Sequence, residues 1–146
     1  MWYNVTMKMN QDRIPIIAEV AWLAGFVDGD GSIGLHATGK RYLNIRLNAW
    51  NSERSVLEYC ADTFGGKVNQ VSSGFSSRPQ YAWTLTGLRA AQLLSWMEPF
   101  LRLKAPQARL ALKAALTLGH NPISPDTLRQ RQELTEEIKK LNLKHR

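Results

Sequence analysis

Ala21, Gly25 and Gly29 lie four positions apart within a stretch whose apolar residues recur at helical spacing. Positions four apart stack along one face of an α-helix, so this face is a ridge almost without side chains. A second helix can approach such a ridge until backbone contacts replace side-chain packing. Ile16, Ile17, Val20, Leu23, Ala24 and Val27 supply the apolar periodicity, and Pro15 suits a first turn, which predicts a helix over Ile14 to Asp28. Asp28-Gly29-Asp30-Gly31 is expected to stop that helix and to deliver Asp30 at its end. If the partner is the same helix of a second copy, a two-fold axis brings two Asp30 carboxylates together. They repel unless a cation neutralises them. Mg²⁺ suits the place, because it binds through one or two carboxylates plus phosphate oxygens and water. A metal so held can lower the pKa of a bound water and stabilise charge in an in-line displacement at phosphorus. Taken alone, the acidic tetrapeptide is also an ordinary turn signature.

The rest of the chain alternates between two periodicities. Ser32 to Thr38 and Arg41 to Trp50 are expected as strands joined at Gly39-Lys40, since Leu43, Ile45, Leu47 and Ala49 alternate with Tyr42, Asn44, Arg46 and Asn48. A second helix follows, capped by Ser52 and running to about Thr63, with Val56, Leu57, Cys60 and Phe64 on one face. That places Cys60 in the core. Gly65-Gly66 ends this helix, Lys67 to Ser72 reads as a third strand, a loop runs to Pro79, and Gln80 to Leu85 reads as a fourth. Helices are then expected from Thr86 to about Phe100, from Pro106 to Leu118 with Gly119 as its stop, and from Ser124 to Leu141.

This α+β order, αββαββα with additional helix after it, lets helices cover one face of a four-stranded antiparallel sheet and leaves the other open. The open face would present Ser32, His36, Thr38, Tyr42, Asn44, Arg46, Asn48, Asn69, Gln80 and Thr84. A merely solvated face would favour Lys and Glu, whereas these groups hydrogen-bond base edges and phosphates.

Charge points the same way. The 146 residues carry a net charge of +7, and residues 32–113 concentrate it, with eleven Lys or Arg against four acids, which favours a polyanionic partner. With 44% hydrophobic and 21% charged residues, composition is that of an ordinary folded chain, and its length suits one domain over 1–146, with residues 1–12 as a flexible arm. One cysteine excludes an internal disulfide, and only His36, His120 and His145 are present, so zinc chemistry has no support. The apolar run from Val20 to Val27 is bounded by Glu19 and Asp28 and falls short of the roughly 18 residues a membrane span needs.

Leu23-Ala24-Gly25-Phe26-Val27-Asp28-Gly29-Asp30-Gly31 resembles the motif of the LAGLIDADG homing endonucleases, departing from the name sequence at Phe26, Val27 and Gly29. The resemblance extends to the element order, to Phe64-Gly65-Gly66 closing the second helix, and to Pro99-Phe100-Leu101-Arg102-Leu103-Lys104 before the late helix. A single motif copy is similar to the homodimeric subclass found in green-algal chloroplast introns. The resemblance implies a saddle-shaped sheet clamping a long, nearly palindromic DNA duplex, Mg²⁺-dependent cleavage of both strands leaving short 3′ overhangs, and an organellar or bacterial-cytoplasmic setting. A non-cleaving relative, such as an intron maturase, shares the fold. The implied metal ligands are Asp30 and the Gly29 carbonyl. Lys104 would polarise the hydrolytic water. Asn51, one methylene shorter than the Gln common at that place, would order the water or share helix capping with Ser52, and Arg54 is the nearest candidate for a further basic group. Asp28 is expected to cap its own helix end, and Gly25→Leu to separate the subunits with loss of fold and activity.

Overall fold

The computed structural model describes residues 14–38, 42–71, 78–118 and 123–144. Its elements are α1 (Ile17–Asp30), β1 (Gly31–Thr38), β2 (Tyr42–Asn51), α2 (Arg54–Phe64), β3 (Lys67–Val71), β4 (Gln80–Thr86), α3 (Gly87–Met97), a 3₁₀ turn (Glu98–Phe100), α4 (Ala105–Ala115) and α5 (Pro125–Lys144). The order expected from periodicity is the order observed. The arm, the Gly39-Lys40 turn, Ser72 and most of the loop after it, and Gly119 lie outside the described residues.

The sheet is antiparallel throughout, in the order β1-β2-β4-β3. Ile33, Ile45, Leu47, Ala49 and Trp83 are fully buried on one face, against Leu23, Ala24 and Val27 of α1, Leu57 and Cys60 of α2, and Leu94 of α3. The helices pack on that face alone, with α1, α3 and α4 on β2, α2 on β4 and α5 on β1. Burial pushes the Cys60 thiol up from 9.0 to about 12, as befits a core residue.

Several boundaries depart from the periodicity. The first helix begins at Ile17, with Pro15 ahead of it, because Glu19 Oε1 accepts the Ile16 N–H at 2.9 Å and so fixes the start. It also runs through the acidic tetrapeptide to Asp30, and only Gly31 turns the chain into β1. A Cβ at Gly31 would stand 2.7 Å from the Asn48 carbonyl oxygen and 2.8 Å from Val27 Cα, so close approach of helix and sheet demands glycine here. The second helix starts at Arg54 with Glu53 as its cap residue; the Ser52 hydroxyl makes no capping bond. At the far end of α2, Gly65 and Gly66 have φ of 91° and 95°, and the Gly65 carbonyl accepts Trp83 Nε1–H at 2.7 Å, seating the largest buried side chain. Ser124 caps α5 as expected, its Oγ accepting the Thr127 N–H at 3.1 Å.

Candidate functional site

The last turn of α1 gathers side chains from three distant parts of the sequence. Asp30 is exposed at the helix end. Asn51, at the end of β2, donates from Nδ2 to Asp30 Oδ2 at 3.1 Å, and its Oδ1 accepts the Glu53 N–H at 2.8 Å. Asn51 therefore joins the acid to Glu53, the residue just ahead of α2, through a local turn, and the capping role expected of it with Ser52 is corrected, because no described side chain makes a capping bond to α2.

Asp28 does not cap its own helix. Its carboxylate accepts three backbone N–H groups from the segment ahead of α4: Arg102 at 2.7 Å, Leu103 at 3.2 Å and Lys104 at 2.9 Å. Such unpaired amides at a helix start need an acceptor, and a carboxylate there also complements the helix dipole. The Lys104 ammonium in turn donates to the Asp28 carbonyl oxygen at 2.6 Å, with only 8% of the residue exposed. Lys104 is thus held from both ends of the residue by Asp28, which lies two positions before Asp30 on α1. Arg54 is exposed, pairs with Glu58 at 2.8 Å, and lies over the Tyr81 ring at 5.4 Å; Tyr81 is the cross-strand partner of Asn51.

Gly29 lies in the last turn of α1, where carbonyls lack partners within the helix. Among the described residues no group of three or more His, Cys, Asp or Glu is assembled. One exposed carboxylate with a neighbouring carbonyl fits a hydrated Mg²⁺ completed by phosphate oxygens, or by a second Asp30, and does not fit a zinc cage.

Register places the ten predicted face residues on the helix-free side. Ser32 pairs with Asn48, His36 with Asn44, Thr38 with Tyr42, and Asn48 with Thr84; Asn69 and Gln80 fall in the same pleat. Thr84 Oγ1 donates to Asn48 Oδ1 at 2.8 Å. Arg46 stands between Gly34 and Thr86. Exposed Trp50 and Lys67 share this face and were missed, although continuing the same alternation would have reached both. No described strand contains Asp or Glu.

The ridge of Ala21, Gly25 and Gly29 faces away from the core. Gly25 and Gly29 are exposed, and a Cβ at either would meet nothing within 4 Å. Exposed Ile17 and Trp22 flank it. The expected loss of fold on Gly25→Leu is therefore corrected, because the chain itself offers nothing for the new side chain to strike.

No protein-family model matches the sequence, and no curated protein does. Solved structures do. The green-algal homing endonuclease I-CvuI, in complex with the I-CreI target in 2 mM Mg, superposes with a TM-score of 0.74 at 25% identity, over 85% of this chain and 82% of that one. The chain has the fold of the LAGLIDADG homing endonucleases. The archaeal I-Vdi141I complexed with DNA gives a TM-score of 0.72 at 17% identity, covering 85% and 84% of the two chains. The LAGLIDADG enzyme I-SmaMI bound to cleaved DNA gives 0.68 at 22%, over 88% of this chain but 46% of its own. This chain spans most of the length of I-CvuI but less than half of that of I-SmaMI. No described helix is long and apolar enough to cross a membrane.

Proposed function

We propose that this protein is a site-specific, divalent-metal-dependent endonuclease that acts as a homodimer on a long, nearly palindromic DNA duplex. The observation that carries the reading is the meeting of Asp30, Asn51 and Lys104 at one helix end beside an acid-free, open sheet face. Residues 1–146 would form a single catalytic unit, its compartment an organelle or a bacterial cytoplasm.

In this reading two copies of α1 pack through Ala21, Gly25 and Gly29, which sets the two Asp30 carboxylates side by side. Each carboxylate, with the Gly29 carbonyl, would hold Mg²⁺, which when bound supplies an acidified water and neutralises phosphate charge. Asn51 keeps the Asp30 carboxylate oriented by its hydrogen bond. Lys104 orients the hydrolytic water and stabilises negative charge growing on the scissile phosphate, its position set in advance by Asp28. Arg54 adds positive charge near the same phosphate. The face residues Ser32, His36, Thr38, Tyr42, Asn44, Asn48, Asn69, Gln80 and Thr84 contact base edges and phosphates, and cleavage across the duplex centre leaves short 3′ overhangs.

The test is Asp30→Asn, assayed with Mg²⁺ against a randomised long-duplex library whose cut ends are sequenced. Cutting is expected to vanish while duplex binding is retained or tightened, since metal ligation and repulsion from phosphate are removed together. Undiminished cutting by the variant refutes the assignment, and a parent that binds duplex without ever cutting it belongs with the non-cleaving relatives.

A further inference from the structure

We infer that Arg46 reads one guanine in the major groove of each half of the bound duplex. The inference rests on the DNA-binding reading of the sheet and adds a base to it. Arg46 sits on β2, an inner strand, in the middle of the helix-free face. Its Nε is buried and has no hydrogen-bond partner, and no ion pair or hydrogen bond holds the guanidinium among the described residues. Covering Nε while leaving the group unpaired turns the two terminal nitrogens into its only usable donors. Those two form an end-on fork, which is the geometry that meets O6 and N7 of guanine together.

The surroundings favour a base over a phosphate. Directly across β1 stands Gly34, where a Cβ would have nothing within 4 Å, so space for a base edge lies open beside the guanidinium. Along the strand its neighbours on this face are Asn44 and Asn48, short amides that carry no charge. A surface that tracks phosphates uses several cations close together, whereas here Lys67 stands two strands away on β3 and the residues beside Arg46 are amides and hydroxyls, the pattern of base-edge contact. No acid on the sheet competes for the fork. In a homodimer the contact is duplicated, so the two guanines stand at symmetry-related positions on opposite strands.

The experiment selects bound duplexes from a randomised library with the parent, Arg46→Ala and Arg46→Lys, then measures affinity for the parent's preferred site with guanine or 7-deazaguanine at the assigned position. The parent should enrich guanine at one symmetric pair of positions, and Arg46→Ala should lose that preference alone. 7-Deazaguanine removes N7, and should weaken the parent by roughly tenfold to a hundredfold when both half-sites carry it, but leave Arg46→Ala unchanged. Arg46→Lys, which lacks the fork, should recover affinity without recovering the preference. Uniform weakening of Arg46→Ala across all sequences, with a shallower salt dependence, overturns the inference in favour of a phosphate contact. Parent binding with no guanine preference overturns it as well. A parent that selects no duplex at moderate salt sinks the DNA-binding reading instead, a result distinct from either.

Discussion

Asp28→Ala removes an acceptor on which three amides converge, and its cost can be worked from those contacts. Hydrogen bonds to a charged group contribute about 1.5–3 kcal/mol each when water is excluded. The Arg102 and Leu103 amides are exposed and would be rehydrated, so they count for little, whereas the Lys104 amide is partly buried and counts nearly in full. With the lost complement to the start of α4, the sum is about 2–3 kcal/mol, in line with the upper range for deleting a helix cap. For a chain of this size that lowers Tm by about 6–9 °C. Asp28→Asn keeps one oxygen for Leu103 and Lys104 but turns an amide N–H₂ toward the Arg102 N–H, so it should fall by about half as much. The functional consequence follows from the same bonds. Once the 102–104 segment is free, the Lys104 ammonium loses its fixed place on the Asp28 carbonyl, and misplacement of a catalytic group by an ångström can cost on the order of a hundredfold. Thermal unfolding followed by circular dichroism, paired with single-turnover cleavage well below both melting temperatures, separates the two effects. A Tm within about 2 °C of the parent would show that the carboxylate does not anchor the 102–104 segment. A lowered Tm with unchanged cleavage would show that Lys104 needs no anchoring.

Gly25→Leu should raise the stability of the isolated protomer by about 1 kcal/mol, since glycine is a poor helix former and the new side chain meets nothing of its own chain, yet sedimentation should find the protomers apart; a persistent dimer refutes the ridge as the interface. Cys60 should resist disulfide reagents until the chain unfolds. Its folded pKa lies above the unfolded value, so stability from this group is complete below pH 9 and is lost as pH climbs toward 12, at about 1.4 kcal/mol per pH unit relative to Cys60→Ala; parallel alkaline denaturation of the two proteins would contradict the burial.

The sequence by itself determined the order of elements, the two faces of the sheet and the acid at the end of the first helix. Each of these is written in a local period, two for strands and four for the glycine ridge, and one residue of slip would turn a whole strand inside out. That is why all ten face residues fall in one pleat, and why Trp50 and Lys67 follow from the same rule. Family resemblance added Lys104 and Asn51 as residues of interest, but not what they touch. Only the tertiary structure decided that Asp28 serves a segment 74 to 76 residues away, that Asn51 spends its amide on Asp30, that the first helix runs on to Asp30, and that the Arg46 Nε is buried without a partner. Such facts depend on how separate elements are set against one another. A hydrogen bond across that distance leaves no periodic trace in the chain, because its geometry is made by the packing of a helix end, a strand end and a loop, none of which encodes the others.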